Sequence, residues 1–442
     1  MSTGKGNPLP FGLQGLLPRL RASYWFVPLL VTLAGVGLAF GLLAVDAGYE
    51  FNPPSAFWLV YPTSPEGARE LLSAVIGSMI TAISVTFSIT IVALTVAAQH
   101  FGPRVLNNFI RHTSAQVVLG TFIATFVYAV LVLGSISGSG EDADIPQLAV
   151  IGAVALVILS VGALIFYVHH VSTALQVGEI AAEIATDLTG SLADRDEDEA
   201  PAGPVDLPEP PGDAAGVPSV RAGYVQRIDH EALVALARER DAVIWIRREP
   251  GKFSLTGAPL VLVHPPSARD EPFVAAVLEA FAIGQDRSHV QDVEFSVKQL
   301  VEVALRALSP GVNEPFTALT CIDRLSEGLA CAAVAPAPPA SWRDADGRAR
   351  VFMQPQPFTM LLRAAFDPIR MFAGRNPAVH ARLLDSIGEL SYVARRAGDL
   401  EALRHQADVV WRAAAGALEE PDDRAFVEER YRRAMARFEP AA

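Results

Sequence analysis

The sequence predicts a mainly α-helical membrane protein: four transmembrane helices followed by a mixed, mostly helical α+β cytoplasmic domain. Two observations carry this. Apolar residues make up 51% of the 442-residue chain, and the mean hydropathy is +0.31, high for a protein that keeps its whole surface in water. Four windows, residues 24–45, 71–98, 117–136 and 148–168, reach the length of about 20 mostly apolar residues that a spanning helix needs. None of the four contains Asp, Glu, Lys or Arg.

Charge placement orients these spans. Up to residue 170 the bases are Lys5, Arg19, Arg21, Arg69, Arg104 and Arg111, and the acids are Asp46, Glu50, Glu66, Glu70, Glu141, Asp142 and Asp144. With the N-terminus inside, all of these bases except Arg69 are cytoplasmic and every acid is external, as the excess of Lys and Arg in inner loops requires. An even number of spans returns the rest of the chain to the cytoplasm. The first apolar run is too long for a signal-peptide core and reads as an anchor that stays. Tyr49, Phe57, Trp58 and Tyr61 fit an aromatic belt at the outer surface, and the inner loop suggests a short amphipathic helix starting after Pro103 and lying in the interface.

The domains then follow in order. Residues 1–23 form a cytoplasmic lead-in, and 24–190 the four spans with a helical extension, in which Val177, Ile180, Ile184 and Leu188 keep helical spacing. Residues 191–222 are an acidic, Pro-rich linker, too poor in large apolar side chains to fold alone. Residues 223–270 form a small α/β module, in which "GKFSLTGAPL" reads as a hairpin of a barrel-sandwich type with turns at Gly251 and Gly257. Residues 271–442 are mainly helical, with breaks at Asn376-Pro377 and Glu420-Pro421.

Several function classes are excluded by what is missing. The net charge of −13 lies almost wholly beyond residue 170, against a nucleic-acid partner, which would meet a basic face. Cys321 and Cys331 are the only cysteines; they face a reducing compartment and have no metal-ligand spacing. No phosphate loop, dinucleotide fingerprint, metalloprotease helix or nucleophile elbow is present. The spans carry no ionisable residue of the kind a proton-coupled transporter uses. We therefore expect no enzyme activity, no cofactor and no metal, with the lipid bilayer, further copies of the chain and a cytoplasmic protein as partners.

Two candidate sites remain. On the second span Ser73, Gly77, Thr81, Ser84, Ser88 and Thr95 fall within an arc of about 80° at 100° per residue, with Glu70 at the outer end and Gln99 at the inner end. This stripe is either a pore lining contributed to an oligomer, with Glu70 at its outer mouth, or a helix-packing surface. The packing alternative buries it against spans three and four, with Gly120, Thr121 and Thr125 as the matching surface. Gln99, Arg104, His169 and His170 mark the inner boundary.

The second site is cytoplasmic. In "QDVEFSVKQLVEVALRALSPGVNEPFTA", Glu294, Lys298, Glu302 and Arg306 alternate in sign every four residues. That pattern reads as a solvated salt-bridge ladder rather than a catalytic acid–base pair. Asn313 or Glu314 is placed to cap the next helix, with Pro315 in its first turn. This block, with "GSMITAISVTFSITIVALTVAAQHFGPRVL", "YVHHVSTALQV", "YVQRID" and "RAAFDPIR", resembles a widespread bacterial family of predicted four-span membrane proteins classed as a domain of unknown function. The resemblance implies the bacterial inner membrane and the four-span topology, and marks Asp292, Glu294, Arg306, Ser309, Pro310, Gly311, Asn313, Glu314 and Pro315 as family-motif residues. Glu314 stands where the family typically has Asp. The resemblance implies no activity. From the stripe and the missing catalytic motifs we expect an oligomeric channel-like protein with a cytoplasmic gating domain, or alternatively a non-conducting sensor or scaffold.

Overall fold

The computed structural model describes residues 25–48, 64–101, 113–136, 145–174, 176–193 and 207–438. Arg104, the outer aromatic residues, the lead-in and the interfacial helix of the inner loop lie outside the described residues, as does the side chain of Gln99. The chain divides into two compact units, Met1–Gln176 and Val177–Ala442.

Apolar length dictates the first unit. Its helices are α1 (Phe26–Gly48), α2 (Pro65–Phe101), α3 (Thr113–Ser135) and α4 (Gln147–Ala174), and all four are long and apolar enough to cross a membrane. Helix α2 starts earlier than its apolar window. Ser64 Oγ accepts the Gly67 amide at 3.1 Å and Pro65 occupies the first turn, so the helix nucleates in a charged stretch that hydropathy passes over.

Helix α3 is the hub: half of its central window is buried, against 17% for α1 and α2 and 22% for α4. Small residues let α1 and α3 meet backbone to backbone. A Cβ on Gly120 would lie 2.9 Å from Pro28 Cα, and one on Gly35 2.9 Å from Ala124 Cβ. Polar clasps complete the bundle. Thr125 and Ser160 hydroxyls pair at 3.0 Å, and Tyr128 Oη donates to the Ala149 carbonyl at 2.8 Å. Asp46 at the end of α1 accepts the Leu148 and Ala149 amides at 3.0 and 2.9 Å, placing negative charge at the positive end of α4. Arg69 donates to the Ile136 carbonyl at 3.2 Å, the converse pairing at the C-terminal end of α3.

The second unit opens with α5 (Val177–Ala193), whose Ile180, Ala181, Ile184, Ala185, Leu188 and Leu192 are buried at the spacing of one helical face. The strands are β1 (Ala215–Pro218), β2 (Gly223–Ile228), β3 (Val243–Ile246), β4 (Phe253–Ser254), β5 (Pro259–His264), β6 (Phe281–Gly284), β7 (Ser341–Arg343) and β8 (Ala349–Phe352), with α6 (His230–Glu239) and α7 (Glu271–Glu279) between them. One sheet has the order β1-β5-β3-β8-β7 and the other β4-β2-β6; among the described residues only β3 and β8 pair in parallel. Both sheets share a core of Val225, Ile228, Leu233, Ile244, Val261, Phe273 and Val351.

Two expectations need correction here. The strands flanking Gly257 form no hairpin, because β4 pairs with β2 while β5 pairs with β1 and β3; Gly251 and Gly257 do take left-handed turns, at φ +83° and +85°. The acidic linker gives way to strand β1 at Ala215, where the small residues pair through their backbone. The five-stranded sheet is completed from far along the chain by β7 and β8.

The remaining helices are α8 (Val293–Ala307), α9 (Pro315–Val334), α10 (Phe358–Phe372), α11 (Pro377–Val393), α12 (Ala397–Ala417) and α13 (Pro421–Met435). Asn376 caps α11 through the Ala378 and Val379 amides, as the Asn-Pro signal predicts. Helix α9 packs on α5, α8 and α11. At its centre a Cβ on Gly328 would occupy the place of the Leu188 side chain, so that glycine is the notch that receives α5.

Candidate functional site

Helix α2 has two opposite faces. Ala68, Leu72, Val75, Met79, Thr86, Ala93 and Ala97 are buried in the bundle. Ser73, Gly77, Thr81, Ser84, Ser88 and Thr95 are all exposed, about 180° away at 100° per residue. The stripe is therefore not buried against α3 and α4, and that form of the packing reading is corrected. The surfaces expected to match it are engaged elsewhere. Gly120 meets α1, Thr125 pairs with Ser160 of α4, and the Thr121 hydroxyl donates to its own helix at Val117. The hydroxyls that do face α4 are ones the stripe omits: Thr90 bonds Tyr167.

Four of the stripe's five hydroxyls are internally satisfied. Thr81 donates to the Gly77 carbonyl at 3.1 Å, Ser84 to Ile80 at 2.9 Å, Ser88 to Ser84 at 2.9 Å and Thr95 to Ile91 at 2.8 Å. Each of these four protons is committed to the helix, and the oxygen lone pairs remain for an outside partner. Glu70 is exposed one turn before Ser73. Within α4, His169 is exposed and the His170 ring stacks on Phe166 at 5.8 Å.

The motif residues of the second unit are built around a buried carboxylate. Asp292 is fully buried. Arg287, in the loop between β6 and α8, donates Nε to Asp292 Oδ2 at 2.8 Å and Nη2 to Oδ1 at 2.9 Å, the two-pronged geometry that suits a carboxylate. The same Nη2 reaches Glu294 Oε2 at 3.3 Å, and Lys298 Nζ lies 3.0 Å from Glu294 Oε1. Burial pushes the Asp292 carboxyl above the usual carboxylate range, with the Arg287 charge and hydrogen bonds opposing. Burial also acts to raise Glu294, but the hydrogen bond and charge of Lys298, with the charges of Lys252 and Arg287, hold it lower.

Two features of this cluster were not legible as chemistry. Gly251 closes over the carboxylate: at φ +83°, a Cβ there would collide with Asp292, while its amide donates to the Val225 carbonyl at 2.8 Å. Gln291 pairs with the backbone of Ile228 through both ends of its amide, at 2.8 and 3.0 Å. The start of α8 is thus fastened to β2 and to the turn before β4. Glu294 is only 8% exposed, so the charge alternation along α8 is not a solvated ladder at this end. Arg287 draws the first acid inward.

The other motif residues lie across the length of α8, about 22 Å away at 1.5 Å per residue, so the structure does not bring the two groups into one site. Ser309 to Glu314 form the turn into α9. The Ser309 carbonyl accepts the Val312 and Asn313 amides at 3.1 and 2.8 Å, and the Ala307 carbonyl accepts the Glu314 amide at 2.8 Å. Ser309 Oγ closes on the Arg306 carbonyl at 2.6 Å. Asn313 sits at φ +49°, a conformation Asn tolerates better than most residues. Pro315 begins α9 as expected, but neither Asn313 nor Glu314 caps it through a side chain: Glu314 holds the capping position without a side-chain hydrogen bond. Val312 and Phe316 stand 42% and 80% exposed beside this turn.

Comparison with known proteins gives a family of predicted membrane proteins. The chain is 30% identical over 430 residues to an uncharacterized protein of Mycobacterium bovis and to one of Mycobacterium tuberculosis strain H37Rv, in each case covering 94% of this chain and 80% of the relative. No solved structure matches it. A family model described as "Predicted membrane protein (DUF2254)" matches residues 21–389, from just before the first span into α11, and the chain belongs to that family.

Proposed function

We propose that the chain is an oligomeric, channel-like protein of the bacterial inner membrane, with both termini in the cytoplasm and a C-terminal unit that gates the passage. The observation that carries this reading is the polar face of α2, exposed and opposite the face that packs in its own bundle. Lipid tails offer hydroxyl oxygens no hydrogen-bond donors, so such a face gains by meeting water or another copy. Four spans enclose little space, and a passage would lie between copies. Its walls would present uncharged oxygen acceptors with Glu70 at the outer mouth, a lining suited to water and cations rather than anions. The excess of Lys and Arg at inner loops supports the orientation. The proposed roles are non-enzymatic: the sequence carries no nucleophile elbow, phosphate loop or metal-spaced cysteine cluster.

Thiol labelling tests the lining. A Ser84→Cys variant, with Cys331 replaced by Ser, is expected to react with a membrane-impermeant thiol reagent. The remaining Cys321 is fully buried, and burial pushes its thiol up to about 12, so it stays silent. Protection of the Ser84→Cys thiol in membranes would mean that lipid or another helix covers the stripe, and the passage reading would fail.

One observation favours the second reading, a non-conducting sensor or scaffold: the exposed Phe316 and Val312 at the turn into α9. Proximity labelling should then recover a defined cytoplasmic partner that a Phe316→Ser variant loses. Equal recovery from both forms would remove this reading.

A further inference from the structure

The C-terminal unit holds a cavity of about 520 Å³, within the range of small-molecule sites. We infer that this cavity binds a small organic cation, an amine or guanidinium carried on a compact apolar or flat body.

The first ground is an aromatic wall with a buried, open polar atom. The His230 ring lies flat on the Trp342 indole, with centroids 3.9 Å apart and 5° between planes, and both residues line the cavity. His230 Nε2 is buried and has no hydrogen-bond partner. A buried polar atom left open calls for a partner that the chain does not supply. Burial pushes this imidazole down to about 4, the nearby Asp229 charge notwithstanding. At neutral pH it is therefore uncharged and can accept a hydrogen bond from an N–H donor. The indole supplies a negative aromatic face for a cation.

The second ground is the charge of the lining. Three carboxylates, Asp229, Glu231 and Glu249, face one guanidinium, Arg227. Asp229 also accepts the Ala232 amide at the start of α6 and keeps its negative charge, so the carboxylates outnumber the one guanidinium. That balance repels phosphates and carboxylates and attracts a cation. Size and ligand set speak against a bare metal ion, since the described residues contain no group of three His, Cys, Asp or Glu side chains placed to hold one. Prolines at 250, 338, 339 and 355, with Met353, place apolar surface among the polar lining residues, as an organic body requires.

The cavity also joins parts of the unit that neither candidate site connects. Ser191 of α5, Gln291 before α8 and Gln354 after β8 all contribute to it. Binding here stands apart from the channel reading and is measured without ion flux, so failure of one leaves the other in place.

The test uses the full-length chain in detergent, with agmatine, spermidine and benzamidine as probes, and succinate and AMP as anionic controls. Calorimetric titration and tryptophan fluorescence read the binding. At least one cationic probe is expected to bind with micromolar to submillimolar affinity, and the anions not at all. Glu231→Gln with Glu249→Gln should weaken that probe at least tenfold while leaving the melting temperature of the unliganded protein unchanged. His230→Gln is a second variant at a different wall, expected to weaken it several-fold. The proposal is overturned if no cationic probe binds below about 5 mM, if succinate or AMP binds in their place, or if the double variant binds as tightly as the parent.

Discussion

Gly251→Ala should destabilise the C-terminal unit through one particular contact, and a double-mutant cycle with Asp292→Ala isolates it. At φ +83° an alanine carries a backbone penalty of about 1 kcal/mol. Its methyl would also occupy the position of the Asp292 carboxylate, which must then leave Arg287 or push the turn away from β2. Breaking one partner out of a buried ion pair costs about 3–5 kcal/mol. The lower end applies because Arg287 is 14% exposed and keeps Glu294 at 3.3 Å. Gly251→Ala alone should therefore cost about 3–4 kcal/mol, and Asp292→Ala alone about 3. In the Asp292→Ala background the collision is gone, and Gly251→Ala should cost only about 1 kcal/mol, the backbone part. Hydrogen exchange of the peptides spanning β2 and the Gly251 turn, in the full-length protein, reads these openings locally. An equal cost of Gly251→Ala in both backgrounds would show that the glycine serves only the turn, and the account of a carboxylate clamped beneath it would be wrong.

Other perturbations test the remaining parts. Leu188→Ala removes a side chain that is 1% exposed and seated against Gly328. It should cost about 2–5 kcal/mol and raise exchange in both α5 and α9; a loss below about 1 kcal/mol would deny that α5 is held by this notch. His230 loses its proton near pH 4 in the folded unit against 6.5 unperturbed, so between those values the unfolded chain binds more protons. Stability should fall as pH falls through that window, by about 2–3 kcal/mol in all. His230→Gln should flatten that part of the profile in thermal melts; an unchanged slope would mean the imidazole titrates normally in the fold.

The spans were legible because a helix in hydrocarbon must be long and apolar, and both properties are local. What escaped was non-local. Helix α2 begins at Pro65, several residues before its apolar window, because Glu66, Arg69 and Glu70 suit a helix without being apolar. Periodicity placed the stripe on one face of α2, but it could not say which face meets α3 and α4. That depended on Leu72, Val75, Met79 and Thr86 packing opposite. Strands β1 and β6 have four residues each, too few for an alternating pattern to stand out. The charged residues of α8 read as surface because alternation every four residues usually is. Their burial comes from Arg287 in the preceding loop and Gly251 in a turn some forty positions upstream. Phe316 lies inside the motif, yet its 80% exposure could only be seen once the turn from Ser309 to Glu314 was placed.

The most direct test of the central claim is ion flux through the purified full-length protein in liposomes and planar bilayers. The parent is compared with a variant in which Thr81, Ser84 and Ser88 are replaced by Leu. All three are exposed and bonded only to their own helix, so the bundle should fold unchanged. The account predicts cation conductance in the parent and its loss in the variant. A parent silent across voltage, tension and pH, or a variant that conducts as well as the parent, would contradict it.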